Sequence, residues 1–228
     1  MALAAALNLH LRSIDVSNAF LNGDIDADVY MEQPEGFVIG GRHIVCKLRK
    51  GLYGTRQGAR AWQIKLQQIL VEELQFRTIY SDGSFFVYCN GDDFVMLPFH
   101  VDDGTFGTSS NELATDLIGH LAQHFKLRNL GPTTFLLEIV VLQDRVAGRI
   151  ELSQHQYVLD VLERFGFSAC SPVVTPMIPG LHLSKADAPS TDAERAEMAN
   201  LPYTNAVGAL LYLAMATWPD IAYAVSVL

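Results

Sequence analysis

The ten residues PFHVDDGTFG (98–107) constrain the fold of this chain more than any other stretch. Asp-Gly between two apolar runs is a strong short-range hairpin signal, so an antiparallel strand pair is predicted here. A turn needs only one carboxylate, however, and Asp102 and Asp103 are adjacent like charges. Turn chemistry explains one of them. A metal site explains both, because a hard divalent cation takes carboxylate oxygens and two at a hairpin tip reach outward together.

Further strands and helices alternate around this pair. VYMEQ (29–33), HIVCKL (43–48), SFFVYCN (84–90), FVMLPFHV (94–101) and TFLLEIVVLQ (134–143) read as strands. Pro98 cannot donate to a ladder, which puts its strand on an edge or bulges it there. Residues 2–11, 57–74 and 111–125 read as helices, the first leading into a short strand at Ser13–Val16. Ser153 and Gln156 make a capping-box pattern ahead of QYVLDVLERF. Pro, Ser and Ala over 168–192 mark a loop or linker, and two helices broken at Trp218-Pro219-Asp220 close the chain. The predicted class is α+β, a mixed or antiparallel sheet packed by helices.

At 228 residues the chain is long enough to bury a real core. Its net charge of −9 speaks against a surface that binds nucleic acid all over. The charge is unevenly placed. An acidic stretch runs from Asp24 to Glu35, and seven Lys and Arg follow between Arg42 and Lys65 with no acidic residue among them. By itself such a run is as readily a solvated face as a binding surface. Three cysteines without a C-x-x-C pair point to a reducing compartment and no zinc ribbon. No signal peptide is evident, and the apolar run 206–218 is too short to span a bilayer, so the protein is expected to be intracellular, not secreted and not in a membrane.

A metal pair at Asp102 and Asp103 calls for a third carboxylate at a neighbouring strand end. Asp15, in SIDVSNAFLNG, is the candidate, with a turn or helix-cap role as its plainer alternative. His120 and His124 stand at i and i+4, but HLAQH lacks the glutamate of H-E-x-x-H and has no evident third ligand. VIGGR (38–42) lacks the Lys-Ser/Thr of a phosphate loop.

DVSNAFLNGDIDADVYMEQPEGF, VCKLRKGLYGTRQGARAW, HVDD, HFKLRNLGPTTFLLEI, LSQHQYVLDVLERFGF and YTNAVGALLYLAMATWPDIAYAV follow one another in order. Together they resemble the reverse transcriptase of copia-type (Ty/copia) long-terminal-repeat retrotransposons. The resemblance covers essentially the whole chain. It implies a palm with incomplete fingers over 1–145, and a thumb and connection segment over 146–228. It implies an RNA-directed DNA polymerase acting by two-metal nucleotidyl transfer. Asp15, Asp102 and Asp103 would hold two Mg2+ ions, with Mn2+ a possible substitute. Phe20 matches the aromatic under the nucleotide sugar, and Gln57 the residue lining the nucleotide and template pocket. Lys47, Arg49, Lys50, Arg56 and Arg60 would then face nucleic-acid phosphates. The implied partners are an RNA or DNA template with its primer, deoxynucleoside triphosphates, and other polyprotein segments such as integrase and ribonuclease H. The implied location is the cytoplasm or a virus-like particle.

The chain also departs from the family pattern. Family members carry a further basic fingers segment before LAAALNLHLRSIDV and a ribonuclease H domain after this region, so the chain reads as truncated at both ends. Glu138 stands where the family has Gly, Trp218 where it has Arg, and His100 where it more often has Tyr. These departures support an alternative: a catalytically inactive palm remnant, acting at most as a nucleic-acid-binding module.

Overall fold

The computed structural model describes residues 1–178, 180–181, 183–184 and 187–228. The other four positions fall inside the 168–192 stretch, and that part of the linker expectation lies outside the described residues. The chain forms two compact units, Met1–Thr134 with Gln143–Ile150, and Phe135–Leu142 with Glu151–Leu228. The class is α+β, and every registered strand pair is antiparallel.

The first unit opens with α1 (Ala2–Ala6), shorter than the predicted helix over 2–11. Asn8 takes a φ of 47° and ends the turn, and strand β1 (His10–Val16) begins at once. Leu9, Leu11 and Ser13 are buried while His10 and Arg12 are only partly so. That two-residue alternation overrides the helical propensity of the Ala and Leu residues. A 3-10 turn (Ala19–Asn22) leads to a small hairpin of β2 (Tyr30–Glu32) and β3 (Val45–Lys47).

Helix α2 (Arg56–Gln67) runs on into a π turn over Gln68–Glu73, so the predicted 57–74 helix is present with its last turns widened. Then come β4 (Arg77–Ile79), β5 (Asp82–Asn90), β6 (Asp93–His100), β7 (Asp103–Thr108), α3 (Asn111–His124) and β8 (Leu127–Pro132). Six strands form one sheet in the order β4-β5-β6-β7-β1-β8. Strand β6 is therefore internal, so of the two expectations for Pro98, an edge or a bulge, the edge is not met. The proline is accommodated differently: Pro98 pairs with Phe85 of β5, while on the other side the ladder to β7 passes from Met96↔Gly107 to Phe99↔Gly104 with 97 and 98 unregistered.

One core joins the sheet to α2 and α3. Phe86, Leu97 and Phe106 from the strands meet Trp62 and Leu66 of α2 and Leu121 of α3, all at most 2% exposed. Each such side chain contributes about 1.5–3 kcal/mol on burial. The sheet's central strands are thus fixed by the most strongly buried part of the unit.

In the second unit the predicted strand over 134–143 is broken. Strand β9 (Phe135–Leu136) turns back into β10 (Ile139–Asp144) through Leu137 and Glu138, at φ of 47° and 62°. Two left-handed residues are what a tight two-residue hairpin needs, yet neither is Gly or Asn. Strand β11 (Arg149–Ser153) follows, then α4 (His155–Arg164), α5 (Asp192–Met198), α6 (Tyr203–Ala216) and α7 (Ala222–Val227). The capping box expected at Ser153 and Gln156 is not formed. Gln154 occupies the cap, and the Gln156 amide donates to Asp160 Oδ1 at 2.8 Å instead. A capping box does form at Thr191 and Glu194, ahead of α5.

Glu138→Gly removes the steric cost of a left-handed side chain in the β9–β10 turn. We expect the variant to gain about 1 kcal/mol in stability, read as a raised midpoint in thermal or urea unfolding followed by circular dichroism.

Candidate active site

The β1–β7 register places Asp15 directly across from Asp103. The rows continue on both sides: His100 pairs with Asp103, and Arg128 of β8 pairs with Asp15. Residues directly opposite in an antiparallel sheet share a face, so His100, Asp103, Asp15 and Arg128 form one polar line across four strands. The next row, Phe99, Gly104 and Ile14, faces the core, with Phe99 and Ile14 buried. Gly104 is required there, because a Cβ would stand 2.9 Å from both Ile14 Cγ1 and the Phe99 ring.

The hairpin turn is Val101-Asp102, not Asp-Gly. Asp103 is already in the ladder as the partner of His100, which leaves only two loop residues. Val101 sits at φ 61°, an uncommon and strained conformation for a β-branched side chain. Two contacts hold it. Trp62 Nε1 donates to the Val101 carbonyl at 2.5 Å, and Val16 N donates to the Asp102 carbonyl at 2.9 Å. The turn carrying Asp102 is therefore pinned both to α2 and to the end of the strand carrying Asp15.

Phe20 is 7% exposed and its ring stacks on that of Tyr53, centroids 4.3 Å apart and planes 10° from parallel. Tyr53 Oη donates to Asp102 Oδ2 at 3.1 Å. Sequence separation hides this contact, and the sequence offers no signal for Tyr53 beyond its place in the GLYG run. Gln57, Arg56 and Arg60 are exposed at the start of α2. The helix is capped by Thr55, whose Oγ1 accepts from Gly58 N at 3.1 Å. Of the other predicted basic residues, Lys47 pairs with Asp28 at 2.5 Å and Lys50 with Asp24 at 2.7 Å. Among the described residues Arg49, Arg56 and Arg60 make no ion pair. His124, one of the two helical histidines, lies 3.3 Å from Glu73.

Three carboxylates on neighbouring strand ends interact. The Asp103 carboxyl is held above its ordinary range, first by partial desolvation and then by the negative charges of Asp102 and Asp15, against a lowering pull from His100. Tyr53 is raised too, by burial first and then by its hydrogen bond and proximity to Asp102.

Comparison with known proteins gives this arrangement a class. The reverse transcriptase (RNA-dependent DNA polymerase) family matches residues 1–179, and the chain belongs to that family. Within it the chain is of the copia type. It is 39% identical over all 228 residues to the retrovirus-related Pol polyprotein from transposon TNT 1-94 of Nicotiana tabacum. It is 38% identical over 218 residues, 95% of its length, to the corresponding polyprotein from transposon RE1 of Arabidopsis thaliana. The chain spans 17% and 14% of those two polyproteins. No solved structure matches it significantly.

Reverse transcriptases use divalent cations. The donor chemistry of Asp15, Asp102 and Asp103 fits such an ion: three hard oxygen ligands, two of them in direct cross-strand register. As the side chains stand, no group of three or more His, Cys, Asp or Glu among the described residues is gathered closely enough to enclose an ion.

Two outcomes follow from this geometry. Trp62→Phe leaves the Val101 carbonyl without its donor and is expected to lose about 1–3 kcal/mol in urea unfolding. The folded chain holds the Asp103 proton more tightly than the unfolded chain does. Stability should therefore fall as pH rises from the ordinary carboxylate pKa through the raised one, and remain lowered above it. Accordingly Asp103→Asn should raise the melting temperature at pH 7, with the gain vanishing below about pH 3.8, as followed by thermal melts across pH.

Proposed function

We propose that the chain is the palm-bearing part of an RNA-directed DNA polymerase that extends a primer on an RNA or DNA template with deoxynucleoside triphosphates. The observation that carries this reading is the register of Asp15 with Asp103, with Asp102 in the adjoining turn. On this reading the six-stranded sheet with α2 and α3 is the palm, and the β2–β3 hairpin belongs to the fingers. The helices after Ser153 form the thumb and connection.

Asp15, Asp102 and Asp103 would hold two Mg2+ ions, or Mn2+ in their place. Ions held there would supply a lowered pKa at the primer 3′-hydroxyl and charge neutralisation at the triphosphate and departing pyrophosphate. The chain's own residues orient the reactants around that centre. Phe20 and the ring stacked on it bound the sugar side of the nucleotide, and Gln57 faces the nucleotide and template. Arg49, Arg56 and Arg60 attract phosphates, while Lys47 and Lys50 must first leave Asp28 and Asp24. Positioning of this kind is most of what a polymerase supplies to phosphoryl transfer. The proposed setting is intracellular, in the cytoplasm or a virus-like particle, alongside segments such as integrase and ribonuclease H.

A second reading, a non-catalytic palm remnant, is favoured by one observation: the three carboxylates are not gathered around a common point. Primer extension separates the two. With a DNA primer on an RNA template in Mg2+ or Mn2+, the chain should extend the primer. The double variant Asp102→Asn, Asp103→Asn should be folded by circular dichroism and inactive. A folded chain with no extension would leave only the remnant, and extension equal in the variant would remove Asp102 and Asp103 from the catalytic centre.

A further inference from the structure

Tyr53 meets both halves of the candidate site. Its hydroxyl donates to Asp102 Oδ2 at 3.1 Å, and its ring lies flat on Phe20 at 4.3 Å. Phe20 is 7% exposed and Tyr53 is 45% exposed, so the aromatic surface open to a ligand there is that of Tyr53. The segment carrying it is tightly built. Gly51 N donates to the Gly23 carbonyl at 2.9 Å, and a Cβ on Gly51 would lie 2.4 Å from the Phe20 carbonyl oxygen. Thr55 Oγ1 donates to the Leu52 carbonyl at 2.7 Å while capping α2. A turn closed on both sides of Tyr53 holds a side chain in one place and does not swing it.

We propose that Tyr53 is a positioning residue that fixes the Asp102 carboxylate for the ion and, propped on Phe20, forms the sugar-facing wall of the nucleotide site. The inference rests on the polymerase reading above. Physically, Asp102 and Asp103 repel each other, and a carboxylate at a strained turn that nothing holds is free to rotate. The Tyr53 O–H restricts that rotation by donating to one oxygen, leaving the other oxygen for the ion. Groups that orient a metal ligand in this way commonly change metal affinity by about 10–100-fold when removed.

The test is Mn2+ binding to the full chain, followed by the electron paramagnetic resonance signal of the free ion. Each variant is melted in parallel to establish that it is folded. Wild-type binding should be lost in the Asp102→Asn, Asp103→Asn double variant. Tyr53→Phe, which keeps the ring, should weaken Mn2+ about tenfold with its melting temperature unchanged. Tyr53→Ala should weaken it similarly. Tyr53→Ala should also reduce the preference for dATP over ATP in equilibrium dialysis with Mn2+, a preference that Tyr53→Phe should retain. Unchanged or tighter Mn2+ binding by Tyr53→Phe overturns the inference, as does an intact sugar preference in Tyr53→Ala. If wild type and the double aspartate variant bind Mn2+ alike, the polymerase reading of the site falls, and this inference falls with it.

Discussion

The pairing of β1 with β7 is the interaction on which the site depends. It sets Asp15 against Asp103 on one face and Ile14 against Gly104 on the other. Because side chains alternate with a period of two, slipping this register by one residue would exchange the two rows. Carboxylates would enter the core and Ile14 would meet water. The apolar row therefore holds the acidic row in place, and the mutual repulsion of the carboxylates is carried by packing they take no part in. Fold stability and the charge concentration at the strand ends are two faces of the same ladder.

The turn that closes β6 and β7 carries this tension furthest. A valine at positive φ is costly there, and it is retained under a tryptophan hydrogen bond beside a carboxylate that accepts from a tyrosine. Strain of this kind persists where the surroundings over-determine the conformation. The two aromatic donors come from either side of the N-terminus of α2, so the helix that supports the core also braces the loop.

The sequence made some of this legible. Alternating strands and helices announced the α+β class, and the amphipathic α2 and α3 were readable from their apolar spacing. Asp15, Asp102 and Asp103 could be named, and the ladder brings Asp15 and Asp103 into register. Local signals failed where tertiary packing outweighed them. The Ala- and Leu-rich start favoured helix, but Leu9 is buried just ahead of β1 and Leu11 within it. Asp-Gly advertised a turn two residues too late, because His100 and Asp103 extend the ladder. Nothing in TFLLEIVVLQ marks a reversal at Leu137 and Glu138, since the residues that normally permit one are missing. The Tyr53 contacts to Phe20 and Asp102 span 33 and 49 positions, and no local pattern encodes them.

The ion pairs Lys47–Asp28 and Lys50–Asp24 bear on the energetics of any encounter with a polyanion. Salt sensitivity of such binding reflects how many small cations the polyanion sheds when protein charges replace them. A lysine already matched to an aspartate brings its own counter-charge along. Taking a phosphate from it exchanges one partner for another and leaves an uncompensated carboxylate beside the polyanion. The acidic stretch preceding the basic run thus acts as an internal mimic of the backbone it would meet, muting the long-range attraction and leaving the unpaired arginines to set its strength.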